Sequence, residues 1–249
     1  MDKRKRLKKR NRRRKSLFNA ILLIGLSSLF IYFLLNSSLF EIKLIKVTGN
    51  RVLGKDEIIG ITKIYKGENI FRIKASSLEK DLLKEAYIKE AEIKRSLPNI
   101  ITIGIREREE KIQVKYISSF IITDIDGVVL DHREEINEDM LFVRGIDAID
   151  TNIGSNIFIN FENQEIKDFF TSGESLGLLI DVQEINMEST DNITIRLNNG
   201  LDIDFGPIDN VKYKLSLISE VIKDNSNQNK KLKRIIMNKG THPILVLDE

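Results

Sequence analysis

The chain has 249 residues and no cysteine, which excludes disulfide bonds, thiolate metal sites and cysteine nucleophiles. Its net charge of +3 is unevenly distributed, because residues 1–15 hold eleven Lys and Arg against one acidic residue, Asp2. That tail therefore carries +10 and the rest of the chain −7. The two histidines, His132 and His242, lie far apart, and neither has a second metal ligand at a suitable spacing. We expect neither a metal nor a cofactor.

An uncharged stretch, residues 16–40, follows the basic tail. At about 1.5 Å per residue, it is longer than is needed to cross a hydrocarbon layer of about 30 Å. It predicts one transmembrane helix, and the basic flank predicts a single-pass type II topology, with a cytoplasmic N-terminus and extracytoplasmic C-terminal domains. A cleaved signal peptide is the alternative, but its apolar core spans only about 7 to 15 residues and ends in a defined cleavage site. Residues 36–38 resemble such a site only loosely.

The basic tail, residues 1–15, has two interpretations. Cationic side chains beside a membrane attract acidic headgroups by about 1 kcal/mol each. This predicts lipid contact, in addition to fixing the topology, by Arg12, Arg13, Arg14 and Lys15. Nucleic-acid binding is the alternative, but it usually interleaves aromatic residues with basic ones, and the tail has no aromatic residue. We therefore expect contact with anionic lipid and no nucleic acid.

Residues 41–110 are predicted to form a small α+β domain. Gly54 suits the N-cap of its first helix, and Ser76 with Glu79 forms a capping-box pattern at the start of its second helix. Near its end, isoleucines at 101, 103 and 105 alternate with other residues and predict one buried strand face. The predicted order is strand 41–47, helix 55–64, a helix from Ser76, strand 88–95 and strand 100–108. Two helices then pack on one sheet.

This order, placed after a basic tail and a single span, resembles the POTRA domain of the FtsQ/DivIB family of bacterial cell-division proteins. The residues that carry the resemblance are Val47-Thr48-Gly49-Asn50-Arg51, Asp56, Ile58, Gly67, Phe71, Ala91, Ile93-Lys94-Arg95, Leu97-Pro98-Asn99, Ile101, Ile103, Ile105 and Glu107-Arg108. Several of them have structural reasons of their own, since Gly49 and Asn50 can turn a chain at positive φ. We assign them to the fold of the domain and not to a binding interface.

Residues 111–249 are predicted to form a second, strand-rich domain. Its first hairpin turns at Asp126-Gly127 through a two-residue type I′ loop, which would pair Ile125 with Val128 and Thr123 with Leu130. The carboxylates of Asp124 and Asp126 could also begin a calcium loop. The further oxygen ligands and the closing Glu of such a loop are missing, so we expect a turn.

A second hairpin is predicted at residues 193–205. A three-residue loop with Gly200 in the left-handed position of a G1 bulge keeps the two apolar arms in phase, pairing Leu197 with Leu201 and Ile193 with Phe205. The other predicted elements are a helix at 164–170, which could be followed by a second piece broken at Gly173 and Gly177, a helix at 209–223, and strands at 232–237 and 243–247 that turn at 238–240.

The second half resembles the β domain of the same family, through the hairpin at 195–206, the helix after it and the Ile235-Ile236 pair. The expected fold class is α+β: one transmembrane helix at 16–40, a POTRA domain at 41–110 and a mixed, strand-rich β domain at 111–249. The Asp-Leu-Arg-like run that is usual near the end of family members is Met237-Asn238-Lys239 here. This departure weakens any transfer of partner-site residues.

No constellation of catalytic residues is evident, because the sequence has no G-x-S-x-G, phosphate-loop or H-E-x-x-H pattern. Asp202 and Asp204 lie on one face of a strand, as a catalytic pair would, but a solvated face is the expected interpretation. We expect no enzymatic activity. Three alternative functions are a membrane-anchored ligand sensor, a transport or secretion component, and an ectoenzyme.

The resemblance implies a bitopic scaffold of the divisome, located in the bacterial cell membrane at the division septum. It would bind other single-span division proteins, of the FtsB/DivIC and FtsL type. Pro243 cannot donate to a strand ladder, so the last strand suits a sheet edge that accepts a partner strand, unless another strand of the same domain closes it. The predicted partner-binding residues are Lys233, Arg234, Ile235, Pro243, Ile244, Leu245, Val246 and Leu247.

Overall fold

The computed structural model describes the backbone of residues 3–146, 150–158, 164–228, 232–237 and 242–247. The chain divides into two compact units. The first takes in Met1–Leu83 and Glu90–Arg106, and the second takes in Lys84–Lys89 and Glu107–Glu249.

The first unit begins with one long helix, α1 (Lys3–Leu35). Its segment Lys15–Leu35 has 21 residues and is long and apolar enough to cross a membrane. The span predicted at 16–40 is thus helical only as far as Leu35. It stops there because the side chains of Asn36 and Ser37 bond to carbonyls of its last turns, at 2.9 and 2.7 Å. A short 3-10 turn follows at Ser38–Phe40.

The rest of the first unit contains a three-stranded sheet with strand order β1-β3-β2, in which β1 runs parallel to β3. The predicted alternation is confirmed, since Ile101, Ile103 and Ile105 are 0, 0 and 8% exposed. The elements are β1 (Leu44–Thr48), α2 (Lys55–Thr62), a 3-10 turn (Ile70–Arg72), α3 (Ala75–Leu82), β2 (Ile88–Ser96) and β3 (Ile100–Glu107). This is the predicted order of strand, helix, helix, strand, strand.

The two short helices of this unit, α2 and α3, begin differently. Gly54 is the N-cap of α2, as predicted, and its amide donates to the carboxylate of Glu57 at 3.4 Å. The predicted capping box at Ser76 is wrong, because α3 begins at Ala75 with Lys74 as its N-cap. The carboxylate of Glu79, which should have closed that box, instead accepts the amide of Ile93 at 2.8 Å. It therefore joins the helix to the sheet.

The second unit is built on a nine-stranded sheet, in the order β12-β11-β10-β9-β8-β7-β4-β5-β6. Helices α4 and α5 share one core with the sheet, where the rings of Phe169, Phe170 and Phe205 are fully buried and lie 5.2–5.4 Å apart. The elements are β4 (Ile112–Tyr116), β5 (Ser119–Thr123), β6 (Val129–Arg133), β7 (Leu141–Arg144), α4 (Gln164–Ser175), β8 (Val182–Asn186), β9 (Ile193–Leu197), β10 (Asp202–Gly206), α5 (Val211–Gln228), β11 (Leu232–Ile236) and β12 (Ile244–Leu247).

The first hairpin of this unit differs from its prediction. Thr123 pairs with Val129, so five residues and not two connect β5 to β6, and the predicted type I′ loop is wrong. Such a loop needs positive φ at both central residues, whereas here Gly127 alone has one, at +83°. The carboxylate of Asp124 accepts the amides of Asp126 and Val128, at 3.0 and 2.9 Å, and so stabilises the longer loop.

The second hairpin has the predicted three-residue loop. Gly200 has a φ of +85°, and the amide of Leu197 donates to the carbonyl of Leu201 at 3.0 Å. At the other end of the hairpin the prediction is wrong, because a bulge in β10 places Ile193 opposite Gly206 instead of Phe205. The register slips there by one residue.

Helix α4 is longer than predicted, since it continues through Gly173 to Ser175. A side chain at Gly173 would lie 3.1 Å from that of Leu179, so this glycine allows a close approach and does not break the helix. Strand β8 was not predicted, because the sequence of Val182–Asn186 lacks a clean alternation. The turn predicted at 238–240 lies outside the described residues.

Candidate functional site

Strand β12 lies at one edge of the nine-stranded sheet, where Pro243 led us to expect it. Within the described part of the chain it pairs with β11 alone. All four of its residues are apolar and exposed: Ile244 by 45%, Leu245 by 46%, Val246 by 38% and Leu247 by 51%. Because side chains alternate along a strand, apolar surface is presented on both faces of this edge.

Strand β11 supports the edge strand. It runs parallel to β10 and antiparallel to β12, with Arg234 opposite Val246 and Ile235 opposite Leu245. Lys233 and Arg234 are exposed. Ile235 is fully buried in the core and cannot touch a partner, so its prediction as a partner-binding residue is corrected to a supporting role.

A charged face lies next to this edge, on strands β8 to β11. The Arg196 guanidinium bonds to the Asp202 carboxylate at 2.9 Å, and that bond raises the pKa of Arg196 above its ordinary value. The guanidinium of Arg234 lies 3.8 Å from both Asp202 and Asp204. Asp202 therefore belongs to one row of alternating charge that crosses the sheet, Glu184-Arg196-Asp202-Arg234. Asp204 has the uncharged Thr194 and Ile236 opposite it and approaches only Arg234. A shallow depression on this face is lined by Glu184, Asn186, Thr194, Ile195, Arg196, Asp202, Asp204 and Arg234.

The opposite edge of the sheet, β6, is covered by a segment of the same chain. We call this segment, residues 150–158, the strap. Its residues bond to both the amide and the carbonyl of Val129 at 2.8 Å, and the carbonyl of Thr151 lies 2.7 Å from Nε2 of His132. The strap was not predicted from the sequence, because its glycine-containing sequence has no periodicity.

Two ion pairs, one largely buried and one partly exposed, hold the loop between β5 and β6. Asp124 is 2% exposed, and a carboxylate oxygen lies 2.6 Å from the guanidinium of Arg108. Lys89 lies 2.6 Å from Asp126. Burial alone would raise the pKa of Asp126. The hydrogen bond and the charge of Lys89 lower the pKa by more than burial raises it, so the net shift is below the ordinary value. Both carboxylates thus stabilise the turn. That of Asp124 bonds to Arg108 and to two backbone amides, and that of Asp126 bonds to Lys89.

A second pair of contacts lies beside this loop. The guanidinium of Arg133 binds both carboxylate oxygens of Glu110, at 2.7 and 2.8 Å. Glu110 also accepts the hydroxyl of Tyr87 at 2.8 Å. Burial and this carboxylate raise the pKa of Tyr87 far above its ordinary value. The phenol therefore remains a hydrogen-bond donor throughout the physiological pH range.

The predicted lipid-binding residues lie on α1. The helix begins at Lys3, so its backbone continues through Arg12, Arg13 and Arg14 into the apolar segment. The side chain of Lys15 is exposed, and the three arginine side chains lie outside the described part of the chain. Lipid contact by the tail remains a prediction.

Comparison with known proteins identifies the family. Residues 40–108 match the FtsQ-type POTRA domain. The cell division protein DivIB of Clostridium tetani is 31% identical over 185 residues, which cover 71% of this chain and 68% of that protein. DivIB of Clostridium botulinum, strain Loch Maree, is 25% identical over 253 residues, which cover 98% and 95%. FtsQ of Corynebacterium glutamicum is 29% identical over 83 residues, covering 33% and 37%.

A solved structure was also matched, that of the major extracytoplasmic domain of the trans isomer of DivIB from Geobacillus stearothermophilus. It covers 48% of this chain and 97% of its own, with 17% identity and a TM-score of 0.31. The expected fold class is confirmed in the elements described above, and the sequence relatives extend over both units. The chain belongs to the DivIB/FtsQ family of bacterial cell division proteins.

Proposed function

We propose that this chain is a non-enzymatic, single-span scaffold of the divisome. The segment Lys15–Leu35 crosses the cell membrane, the basic tail stays in the cytoplasm, and both units lie outside at the division septum. The scaffold binds other single-span division proteins, of the FtsB/DivIC and FtsL type. This proposal is supported by the family and by the apolar segment with its basic flank.

The observation that carries the proposal is the apolar edge at β12. Exposed apolar edge strands promote unwanted pairing, and proteins usually blunt them with charges, bulges or a cover. Ile244–Leu247 carry no charge, and no described segment covers their outer side. The bulge in the ladder between β11 and β12 lies on β11, between Leu232 and Arg234, and not on the edge strand itself. An edge of this kind can accept a strand from another protein, whose backbone supplies the hydrogen bonds and whose alternate side chains meet Ile244 and Val246 on one face.

The charged face beside the edge gives such a strand a defined position. Lys233 is exposed on β11, and one row of alternating charge begins at Arg234 and continues through Asp202 and Arg196. An adjoining part of the partner that carries both charge signs would match this row. Pairing of opposite charges contributes more to the choice of partner and register than to affinity.

The test uses two proline variants of the full chain, Leu245→Pro and Val246→Pro. Neighbouring residues of a strand direct their N–H groups to opposite sides, so one proline removes a bond to β11 and the other removes a bond offered to a partner. We expect the variant that removes the bond offered to a partner to bind the FtsB/DivIC-type protein of the same bacterium at least tenfold more weakly while remaining folded. Binding is measured in detergent by surface plasmon resonance, and folding by circular dichroism.

The matched control is Ile180→Pro, since Ile180 is 81% exposed and lies outside the edge. Charge reversal is best made at Lys233, because Arg234→Glu would also place a carboxylate beside Asp202 and Asp204. Lys233→Glu should weaken binding as well. If both proline variants are folded and bind like the unaltered chain, β12 is not the partner site.

A further inference from the structure

The part of the first unit next to α1 is formed by three chain segments. Residues 41–44, which follow the helix end, lie between two loops. The amide and carbonyl of Ile42 bond to loop 64–74 at 2.8 and 2.9 Å, and the amide of Lys43 bonds to turn 95–99 at 2.9 Å. We call loop 64–74 and turn 95–99 the proximal loops. They are held directly beside the chain that leaves the helix.

The side chain of Asn69 connects the proximal loops to the last turn of α1. The last carbonyls of a helix have no partner within it, and unpaired backbone groups are costly in or near lipid. The side-chain amide of Asn69 donates to the carbonyl of Leu35 at 2.7 Å, and its oxygen accepts the amide of Phe71 at 2.9 Å. Since Lys15–Leu35 is about 31 Å long, close to the hydrocarbon thickness, Asn69 lies at the depth of the headgroups.

Exposed apolar side chains are concentrated at this level. Phe71 is 41% exposed, and its ring packs on that of Phe40 with 5.0 Å between the centroids. Leu39 is 50% exposed, Tyr65 64% and Leu97 58%. These side chains come from three separate segments of the chain, so tertiary structure and not one hydrophobic run of sequence produces the apolar surface.

The same surface carries an excess of positive charge. Residues 41–43 and the proximal loops contain two carboxylates, Glu41 and Glu68, and five cations: Lys43, Lys66, Arg72, Lys74 and Arg95. Apolar side chains surrounded by cations are the combination that binds the interface of a bilayer containing anionic lipid. A purely structural loop needs neither the exposed Phe71 nor the charge excess.

We propose that the proximal loops bind anionic phospholipid in the leaflet next to the end of α1. Phe71 and Leu97 enter the boundary between headgroups and acyl chains, while Lys66, Arg72 and Arg95 lie beside phosphate groups. This contact adds a second membrane attachment to the single span. It rests on the proposed function, because it requires Lys15–Leu35 to cross the membrane.

The test exploits the absence of tryptophan from the chain. The full chain is reconstituted in lipid nanodiscs as four variants, each with a single tryptophan: Phe30→Trp, Phe71→Trp, Leu97→Trp and Val52→Trp. Brominated lipids then quench the fluorescence of a tryptophan that touches their acyl chains. Phe30 lies within the span, and Val52 is a matched control that is 65% exposed beyond the opposite end of β1.

We expect strong quenching of Phe30→Trp, at least half that quenching for Phe71→Trp and Leu97→Trp, and little for Val52→Trp. If Phe30→Trp is quenched but Phe71→Trp and Leu97→Trp behave like Val52→Trp, the lipid contact is overturned and the membrane anchor stands. If Phe30→Trp itself is not quenched, the proposed topology fails, which is a different result.

A second comparison tests the role of charge. In Phe71→Trp, the additional changes Lys66→Glu and Arg72→Glu should reduce quenching at least twofold in nanodiscs that contain phosphatidylglycerol. In phosphatidylcholine alone, quenching should be weaker from the start and change little. Equal quenching in the two lipids, with and without the reversals, would contradict the anionic lipid as the ligand.

Discussion

The two edges of the nine-stranded sheet are finished in opposite ways. At β6, the strand carries Asp131, His132 and Arg133, and the strap bonds to Val129 and reaches His132. At β12, four apolar residues in succession are exposed and pair with β11 alone within the described residues. One edge is thus closed by the protein itself, and the other offers its backbone and apolar side chains.

The two edges show that this sheet does not require an open edge. The chain covers β6, which has five residues, with the strap, a turn and ion pairs. Among the described residues, β12, which has four, has no such cover. Three changes near the closed edge test this contrast.

The largest effect is expected from Gly127→Ala, in the loop on which the strap rests. Gly127 has a φ of +83°, and an added Cβ would lie 2.4 Å from the ring of Phe158 in the strap. Backbone strain of about 1–2 kcal/mol and overpacking of about 1–3 kcal/mol should together lower the free energy of unfolding by about 2–5 kcal/mol. Urea unfolding of the full chain in detergent measures it.

Gly200→Ala is the control for this prediction, because Gly200 has a φ of +85° but nothing lies within 4 Å of its added Cβ. It should cost about 1 kcal/mol, from backbone strain alone. The Gly127 variant should also associate with itself once the strap is displaced from β6. Equal losses for the two variants would show that the contact with Phe158 is unimportant.

A smaller effect is expected from His132→Ala. It removes the contact between Nε2 and the carbonyl of Thr151, which is exposed, so the loss should be about 0.5–1 kcal/mol. Hydrogen exchange should accelerate several-fold at the amide of Gly154, which bonds to Val129. The matched change on the open edge, Val246→Ala, should leave this exchange unaltered. Unchanged exchange in both variants would remove His132 from the closure of β6.

The smallest effect is expected from Lys89→Met, and it depends on pH. Lys89 lowers the pKa of Asp126, so this pair stabilises the protein above the ordinary pKa of a carboxyl, about 3.8, and its contribution is lost as the pH falls through the lowered value. The pair is partly exposed, so the variant should lose less than about 1 kcal/mol at pH 7. As the pH falls through the lowered pKa of Asp126, the melting temperatures of the two proteins should converge.

Melting temperatures at pH 7 and at a series of values falling below 3.8 measure this difference. Lys115→Met, an exposed change on β4, should show no such dependence. A difference between Lys89→Met and the unaltered chain that stays constant throughout the series would contradict the role of Asp126 ionisation.

The sequence predicted those parts of the fold that depend on regular patterns. The alternation at Ile101, Ile103 and Ile105 identified a buried strand face because side chains alternate with period two. Pro243 located the edge strand because it lacks a backbone donor. Both features are local, so they are visible without tertiary structure.

The closed edge could not be predicted in the same way. The five-residue loop at Asp124 depends on a carboxylate that bonds to two amides and to Arg108, sixteen residues earlier. The strap depends on hydrogen bonds between residues that are remote in sequence and have no hydrophobic period. The burial of Ile235 depends on strands elsewhere in the chain, so the local sequence did not reveal it and Ile235 was wrongly assigned to the partner site.

The interleaved composition of the second unit determines whether it can be separated from the rest of the chain. Residues 84–89 precede most of the second unit by more than twenty positions, yet they fold with it and supply Tyr87 and Lys89. A fragment that begins at the predicted boundary, residue 111, would lack these residues together with Arg108 and Glu110. Asp124 and Asp126 would lose the cations that pair with them, Arg108 and Lys89, and Arg133 would lose Glu110. Residues 111–249 alone therefore do not make up the second unit. Exchanging this unit between relatives requires that residues 84–89 and 107–249 be exchanged together.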